Sequence, residues 1–218
     1  MPKNVLMIDD GLTHEILQEI LSPDSPIPVV EEDSYAIIGT RDPDENQREA
    51  ARTLAFLIAC LRRKRVRTGA AYGIDEAAMV GTQGTNLDVC LPWATYNRDI
   101  VPAGSRVVVY TPSEHAEWTA SVARYHPAAS RLSRGAFALH ARNYGIVVGT
   151  KAVIAFPDPK GGGGTAQGIR IARGLKIPVI QADKGTIGDL PRWLGKTLQQ
   201  LGFADSDLKT TLSGRTGK

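Results

Sequence analysis

Residues 152–180 read AVIAFPDPKGGGGTAQGIRIARGLKIPVI: an apolar run, four glycines in a row, a helix-like stretch and a second apolar run. Gly161, Gly162, Gly163 and Gly164 loosen the backbone and weaken both neighbouring elements, so their presence between a strand and a helix demands a use for bare backbone. A buried strand over 151–156, a helix over 164–176 with Ile169 and Ala172 inward, and a strand over 178–182 make one strand–helix–strand unit. Short links of this kind join parallel strands, and a parallel sheet needs helices on its faces.

The same alternation extends toward the N-terminus. Residues 34–40, 65–70 and 86–93 read as strands, and 44–63 and 73–82 as helices. The 44–63 helix carries the stripe Ala50, Leu54, Leu57, Ile58 and Leu61, with Asp44 placed to cap its start. A further strand is expected at 106–111, outside the main order of the sheet. Helices are expected at 112–126, 131–149 and 189–203. The strands are too few for a closed eight-stranded barrel, so the expected fold class is α/β, a Rossmann-like open parallel sheet with helices on both faces. Residues 1–33, with a short helix around THEILQEIL, form an N-terminal extension. The domain runs over 34–205, and 206–218 is a polar tail expected to fray.

The chain has 218 residues, 42% of them hydrophobic, 22% charged and with a net charge of +3, which suits one large domain with a sizeable core. A pI near 8.9 is too mildly basic to imply nucleic-acid binding without a clustered patch. Cys60 and Cys90 lie in apolar surroundings without metal-ligand spacing, which predicts a buried, reduced pair. Neither a signal peptide nor a run long enough to span a membrane is legible, so a soluble, cytoplasmic protein is expected.

In open α/β sheets ligands sit at the carboxyl ends of the strands. There the sequence places Gly39-Thr40-Arg41, the segment Gly69 to Asp75 with Gly73, Pro92-Trp93, and the glycine tract ending in Gly164-Thr165. Glycines at a helix N-terminus let a phosphate approach unpaired N–H groups that carry a partial charge of roughly +0.5. Thr165 adds a hydroxyl, and Arg41 a guanidinium suited to bidentate phosphate contact. The tract does not match a P-loop, because Lys160 precedes the glycines, and GTRDPD after the first strand is no dinucleotide fingerprint.

Other candidates have more than one reading each. Trp93 and Tyr96 can stack on a base or pack the sheet edge. His126 and His140 can be structural or one of them a general base. Asp75 can act as acid or base, brace the glycine turn or cap a helix, and Asp158 can select a ribose hydroxyl or turn the chain. The basic run RRKRVR at 62–67 suits helix capping better than a nucleic-acid stripe.

The ordered segments AIIGTR, RTGAAYGIDEAA, LPWATYN, YHPAASRLSRGAFALHARNYGIVVG and AVIAFPDPKGGGGTAQGIRIARGLKIPVI resemble the Rossmann domain of the DNA-processing protein A (DprA/Smf) family over about residues 34–182. They are still more similar to its short stand-alone bacteriophage members, within the superfamily that includes the lonely-guy (LOG) nucleotide hydrolases. The resemblance implies that Gly39, Thr40 and Arg41 fit a Gly-Ser-Arg turn. It implies that Gly69, Gly73 and Asp75 fit a Gly-x-x-x-Gly-x-Asp element, and that Arg142 and Asn143 fit an Arg-Asn pair closing a phosphate site. Gly161, Gly162, Gly164 and Thr165 fit its Gly-Gly-x-Gly-Thr loop. LOG-type hydrolases place a catalytic glutamate three residues after the loop threonine, where this chain has Gly168, preceded by Gln167.

The expected function is nucleotide binding at the strand ends. Single-stranded DNA binding and a nucleotide N-glycosidase or transferase activity are the alternatives, with Asp75 the catalytic candidate for the last. No metal and no obligatory cofactor are expected beyond a nucleotide ligand. The expected partners are a nucleotide or single-stranded DNA, without a membrane, and a second copy in a homodimer, in a bacterial host if the chain is phage-encoded.

Overall fold

The computed structural model describes residues 33–203 except 184 and 186. The chain divides between residues 32 and 33, and the described residues belong to the second unit. The expected extension and tail lie outside the described residues, apart from Asp33.

Among the described residues, six parallel strands form the sheet, in the order β4-β3-β2-β1-β5-β6. They are β1 (Ser34–Gly39), β2 (Arg65–Thr68), β3 (Leu87–Leu91), β4 (Arg106–Val109), β5 (Ala152–Phe156) and β6 (Val179–Gln181). The helices are α1 (Glu45–Phe56), α2 (Ile74–Thr82), α3 (Ala116–Tyr125), α4 (Arg134–Val147), α5 (Gly163–Gly174) and α6 (Leu190–Gln200). β4 belongs to the sheet and does not stand outside its order. It pairs with β3 from Asp88↔Arg106 to Leu91↔Val109 and forms one edge. The connection from β3 to β4 holds only a single 3₁₀ turn, Arg98–Ile100, where a covering helix is the usual crossover. That missing helix is why the alternating pattern breaks in the sequence.

Strand order reverses at β1, which pairs with β2 on one side and with β5 on the other, in register from Tyr35↔Ala152 to Gly39↔Phe156. The reversal opens a crevice at the carboxyl ends of β1 and β5. The period-2 alternation of β1 divides the core. Ala36 and Ile38 pack with Val153, Ala155, Ile169 and Val147 under α4 and α5. The other face meets α2 and α6: Gly39 lies against Ile74, and Phe156 lies 5.9 Å from the Trp193 ring.

Asp44 starts α1 through a capping box: its carboxylate accepts from the Gln47 N–H at 2.8 Å, and Gln47 accepts from the Asp44 N–H at 3.2 Å. The α-helical ladder ends at Phe56, short of the expected residue 63, and Leu57–Leu61 widens into a π-turn. That turn keeps Ile58, Ala59 and Cys60 all buried. Cys60 and Cys90 are free and buried, as expected, and burial pushes their thiols up to about 11 and about 12.

Two arginines of the basic run, Arg65 and Arg67, are engaged at the other end of the sheet from the crevice. Asp88, 1% exposed, holds Arg65 at 2.9 Å, Arg67 at 3.6 Å and Arg106. Arg67 also donates to the carbonyls of Gly145 (3.2 Å) and Val148 (2.6 Å), closing the C-terminus of α4. The run therefore serves two helix ends: Arg62 is the C-cap of the π-turn that continues α1, its N–H donating to the Leu57 carbonyl at 3.0 Å, and Arg67 closes α4, far along the chain. Asp88→Ala leaves three guanidinium groups around a buried gap. The expected cost is about 3 kcal/mol in chemical denaturation, with ligand affinity unchanged.

Candidate functional site

The crevice is a cleft of about 430 Å³. β1 delivers Gly39, Thr40 and Arg41 to it, α2 delivers Asp75, α4 delivers Arg142 and Asn143, and the β5–α5 connection delivers Gly161, Gly162, Gly163, Gly164 and Thr165. Residues from opposite halves of the chain thus meet because β1 and β5 are neighbours.

The glycine tract owes its composition to backbone shape. Gly161, Gly162 and Gly163 have φ of +70°, +81° and +65°, and a Cβ on any of them would meet nothing within 4 Å. Three successive left-handed residues are costly for anything but glycine, by roughly 1–2 kcal/mol each. They turn the chain so that α5 begins with its N–H groups at the cleft. Asp158 braces this turn. Its side chain accepts from the Lys160 N–H at 2.8 Å, its carbonyl accepts from the Gly161 N–H at 2.8 Å, and Thr40 Oγ1 donates to it at 3.4 Å. Of its two readings, Asp158 makes the chain-turning contacts. Thr40 Oγ1 also accepts from the Asp42 N–H at 3.1 Å, so the ends of β1 and β5 are tied together.

Gly73 is the N-cap of α2 at φ +88°, and a Cβ there would lie 2.6 Å from the Thr40 carbonyl oxygen. Gly69 stands behind the cleft. A Cβ on it would overlap the Arg142 guanidinium and come 2.6 Å from the Asp75 carboxylate. Gly69 and Gly73 therefore do not line the cleft; they make room for the residues that do.

Arg142 and Asp75 are each 5% exposed and 3.7 Å apart. Asp75 accepts from the Ala71 N–H at 3.3 Å. Burial pushes its carboxyl above the ordinary value, against the opposing pull of Arg142, the Ala71 N–H, Thr68 and Arg41. Arg142 Nε is buried without a hydrogen-bond partner. A guanidinium so placed has spare donor capacity at the cleft wall. Asn143 donates to the Gly164 carbonyl at 3.2 Å and locks α4 against the start of α5.

Trp93 and Tyr96 do not line the cleft. Tyr96 sits between the two arginines instead: its hydroxyl accepts from Arg41 at 3.4 Å, and the Arg142 Cζ lies 5.9 Å from its ring centroid. Trp93 packs edge-on against Tyr96 at 5.1 Å and remains 40% exposed. Asn97, donating to the Ala70 carbonyl at 2.7 Å, fastens this loop to the one after β2. Tyr72, in that second loop, is 51% exposed, and nothing in the sequence pattern singles it out.

His126 and His140 lie in contact, tilted 55° to each other with ring centroids 4.3 Å apart. His126 Nδ1 accepts from the Ala128 N–H at 3.1 Å, a turn-forming contact. His140 lines the cleft with Ala136 and Leu139, two further residues that the sequence reading missed. Their signal was present: 136, 139, 140 and 143 share one helical face. Gly168 also lines the cleft, and a Cβ on it would lie 2.5 Å from Ile38 Cδ1. Gln167 beside it is fully buried and accepts from Arg170 at 2.8 Å. Among the described residues no cluster of three or more potential metal ligands is present, and no helix is long and apolar enough to cross a membrane.

A parallel sheet with an order reversal, and a cleft lined by arginines and glycines at that reversal, define a Rossmann-like α/β protein. The chain belongs to the DNA recombination-mediator protein A family, whose profile matches residues 20–189. Comparison with curated protein sequences gives no match. Among solved structures it is similar to DNA processing protein A from Helicobacter pylori, described for its single-stranded DNA binding mode. That match has 16% identity and a TM-score of 0.52 over 77% of this chain and 81% of that one. DNA processing protein A from Streptococcus pneumoniae matches with 16% identity and a TM-score of 0.52, over 78% of this chain and 57% of that one. The molybdenum cofactor binding protein from Rippkaea orientalis matches with 18% identity and a TM-score of 0.50, over 84% and 96%. At such identities the likeness is one of fold.

Proposed function

We propose that the protein binds a nucleotide by its phosphate in the cleft between β1 and β5. The observation that carries this is the buried Arg142, with an unpartnered Nε, facing the same space as Arg41 and the glycine-led N-terminus of α5. An anion there gains charge-assisted bonds from guanidinium groups and main-chain donors without side chains in the way.

Family membership favours a second form of the same reading, in which the phosphate belongs to single-stranded DNA. Tyr72 and Trp93, both exposed near the strand ends, support it, because exposed rings are stacking surfaces for bases of any sequence. Salt dependence separates the two. A strand held through several phosphates loses affinity with a log–log slope of roughly 0.7 per phosphate, whereas a mononucleotide has a shallow slope. Titrating an oligothymidylate and a nucleoside monophosphate at several salt concentrations measures this. We expect a slope of about two or more for the oligonucleotide. Failure of both ligands to bind would remove the site.

The N-glycosidase reading lacks comparable support. Asp75 and Asp158 are both engaged, one with Arg142 and Ala71, the other in the glycine turn. Gly168 stands where a LOG-type glutamate is expected. The homodimer and the phage origin that the resemblance implies belong to this proposal too, and sedimentation analysis tests the first.

A further inference from the structure

We propose that His140 is a third ligand-contacting group of the cleft, uncharged while the cleft is empty and protonated once a phosphate-bearing ligand enters, so that binding takes up a proton. The inference rests on the phosphate-binding reading above and adds to it a residue and a proton.

His140 lies one helical turn before Asn143 on the same face of α4, and Asn143 is bonded to Gly164 at the start of α5. His140 is therefore carried toward the glycine end of the cleft, which it lines. Its Nδ1 is buried and has no hydrogen-bond partner. Buried polar atoms are rarely left so, and those that are mark strain or a place kept for a ligand.

The groups facing His140 are cationic or able to become so. Arg142 lies on its own helix, Arg170 reaches over from α5, and the His126 ring packs tilted against it from the segment after α3. Arg170 is held there by the Tyr125 carbonyl at 2.9 Å and by Gln167. The carboxylates lining the same cleft are Asp42, Asp75 and Asp158, and the latter two are engaged with Arg142 and with the glycine turn. Burial, then His126, Arg170 and Arg142, lower the imidazole to about 4. An anion entering the cleft opposes the repulsion, and a protonated Nδ1–H gains an acceptor. Because the ligand raises the imidazole's proton affinity, affinity must rise as pH falls.

The size follows from linkage. Return of His140 to the ordinary value of about 6.5 makes binding about tenfold tighter at pH 5.5 than at pH 7.5. The probe is a single-stranded oligothymidylate, whose phosphodiesters and thymines do not titrate in this range. Affinity is measured at both pH values, and proton uptake near pH 6 by calorimetry in two buffers of different ionisation heat. Wild type is expected to tighten about tenfold and to take up a proton. His140→Gln and His140→Asn, each checked for a cooperative melt, are expected to show neither effect, while His126→Gln keeps both.

Equal affinity at the two pH values in wild type, or the full effect surviving in both His140 variants, would overturn the role of His140 and leave the phosphate site standing. Absence of oligonucleotide binding at either pH would overturn the phosphate reading, and this inference with it.

Discussion

Arg142→Ala is expected to weaken oligonucleotide binding by about a hundredfold or more at moderate salt. Truncating a buried charged contact commonly costs roughly 2–5 kcal/mol, and a factor of ten in affinity corresponds to about 1.4 kcal/mol. The change also reaches the fold, because Arg142 pairs with the buried Asp75. Asp75 is already pushed toward its neutral form by burial, so it is expected to protonate when its partner goes. The double variant Arg142→Ala with Asp75→Asn separates the two effects. It is expected to regain thermal stability relative to the single variant and to regain no affinity. Arg142→Lys is expected to recover only part of the binding, since an ammonium lacks the fork of donors. Fluorescence anisotropy with a labelled oligothymidylate and a thermal melt read both quantities. Wild-type affinity in Arg142→Ala would sink the site.

Gly69→Ala is expected to resemble Arg142→Ala in binding, although it adds one methyl group at a residue that touches no ligand. The new Cβ overlaps the Arg142 guanidinium and crowds the Asp75 carboxylate. The arginine must swing away or the strand end must move, and overpacking of this kind costs about 1–3 kcal/mol of stability. Gly164→Ala is the useful contrast. Its Cβ meets only Asn143 Nδ2, at 3.5 Å, an ordinary contact. Affinity in Gly164→Ala is expected to fall by less than that in Gly69→Ala, the reverse of a ranking by distance from the cleft.

Legibility in the sequence follows the range of the interactions. The βαβ units are readable because a buried parallel strand and an amphipathic helix each write their period locally, as in AVIAF and around Asp44. β4 escapes its place in the order because its connection has no covering helix to announce it. The glycine tract and Thr40-Arg41 are readable as strand-end features. That they meet depends on β1 pairing with β5, a contact between segments remote in the chain. The purpose of Gly69 is hidden for the same reason, since the side chain it clears for comes from α4. Tyr96 illustrates the opposite error: an aromatic past a strand end suggests a base platform, and it bridges two arginines instead. The role of RRKRVR is hidden because its answering charge, Asp88, lies on β3, beyond α2 in the chain and one strand over in the sheet.

The anchoring of α4 at both ends has one more consequence. Ser133 accepts from the Ala136 N–H at its start, and Arg67 grips the last carbonyls at its finish. His140, Arg142 and Asn143 therefore ride on a single stiff rod, and the regular rise of the helix sets their spacing. Such a rod works as a ruler. In the proposed phosphate site it would favour guests whose polar atoms match the gradations over those that need the wall to mould itself around them.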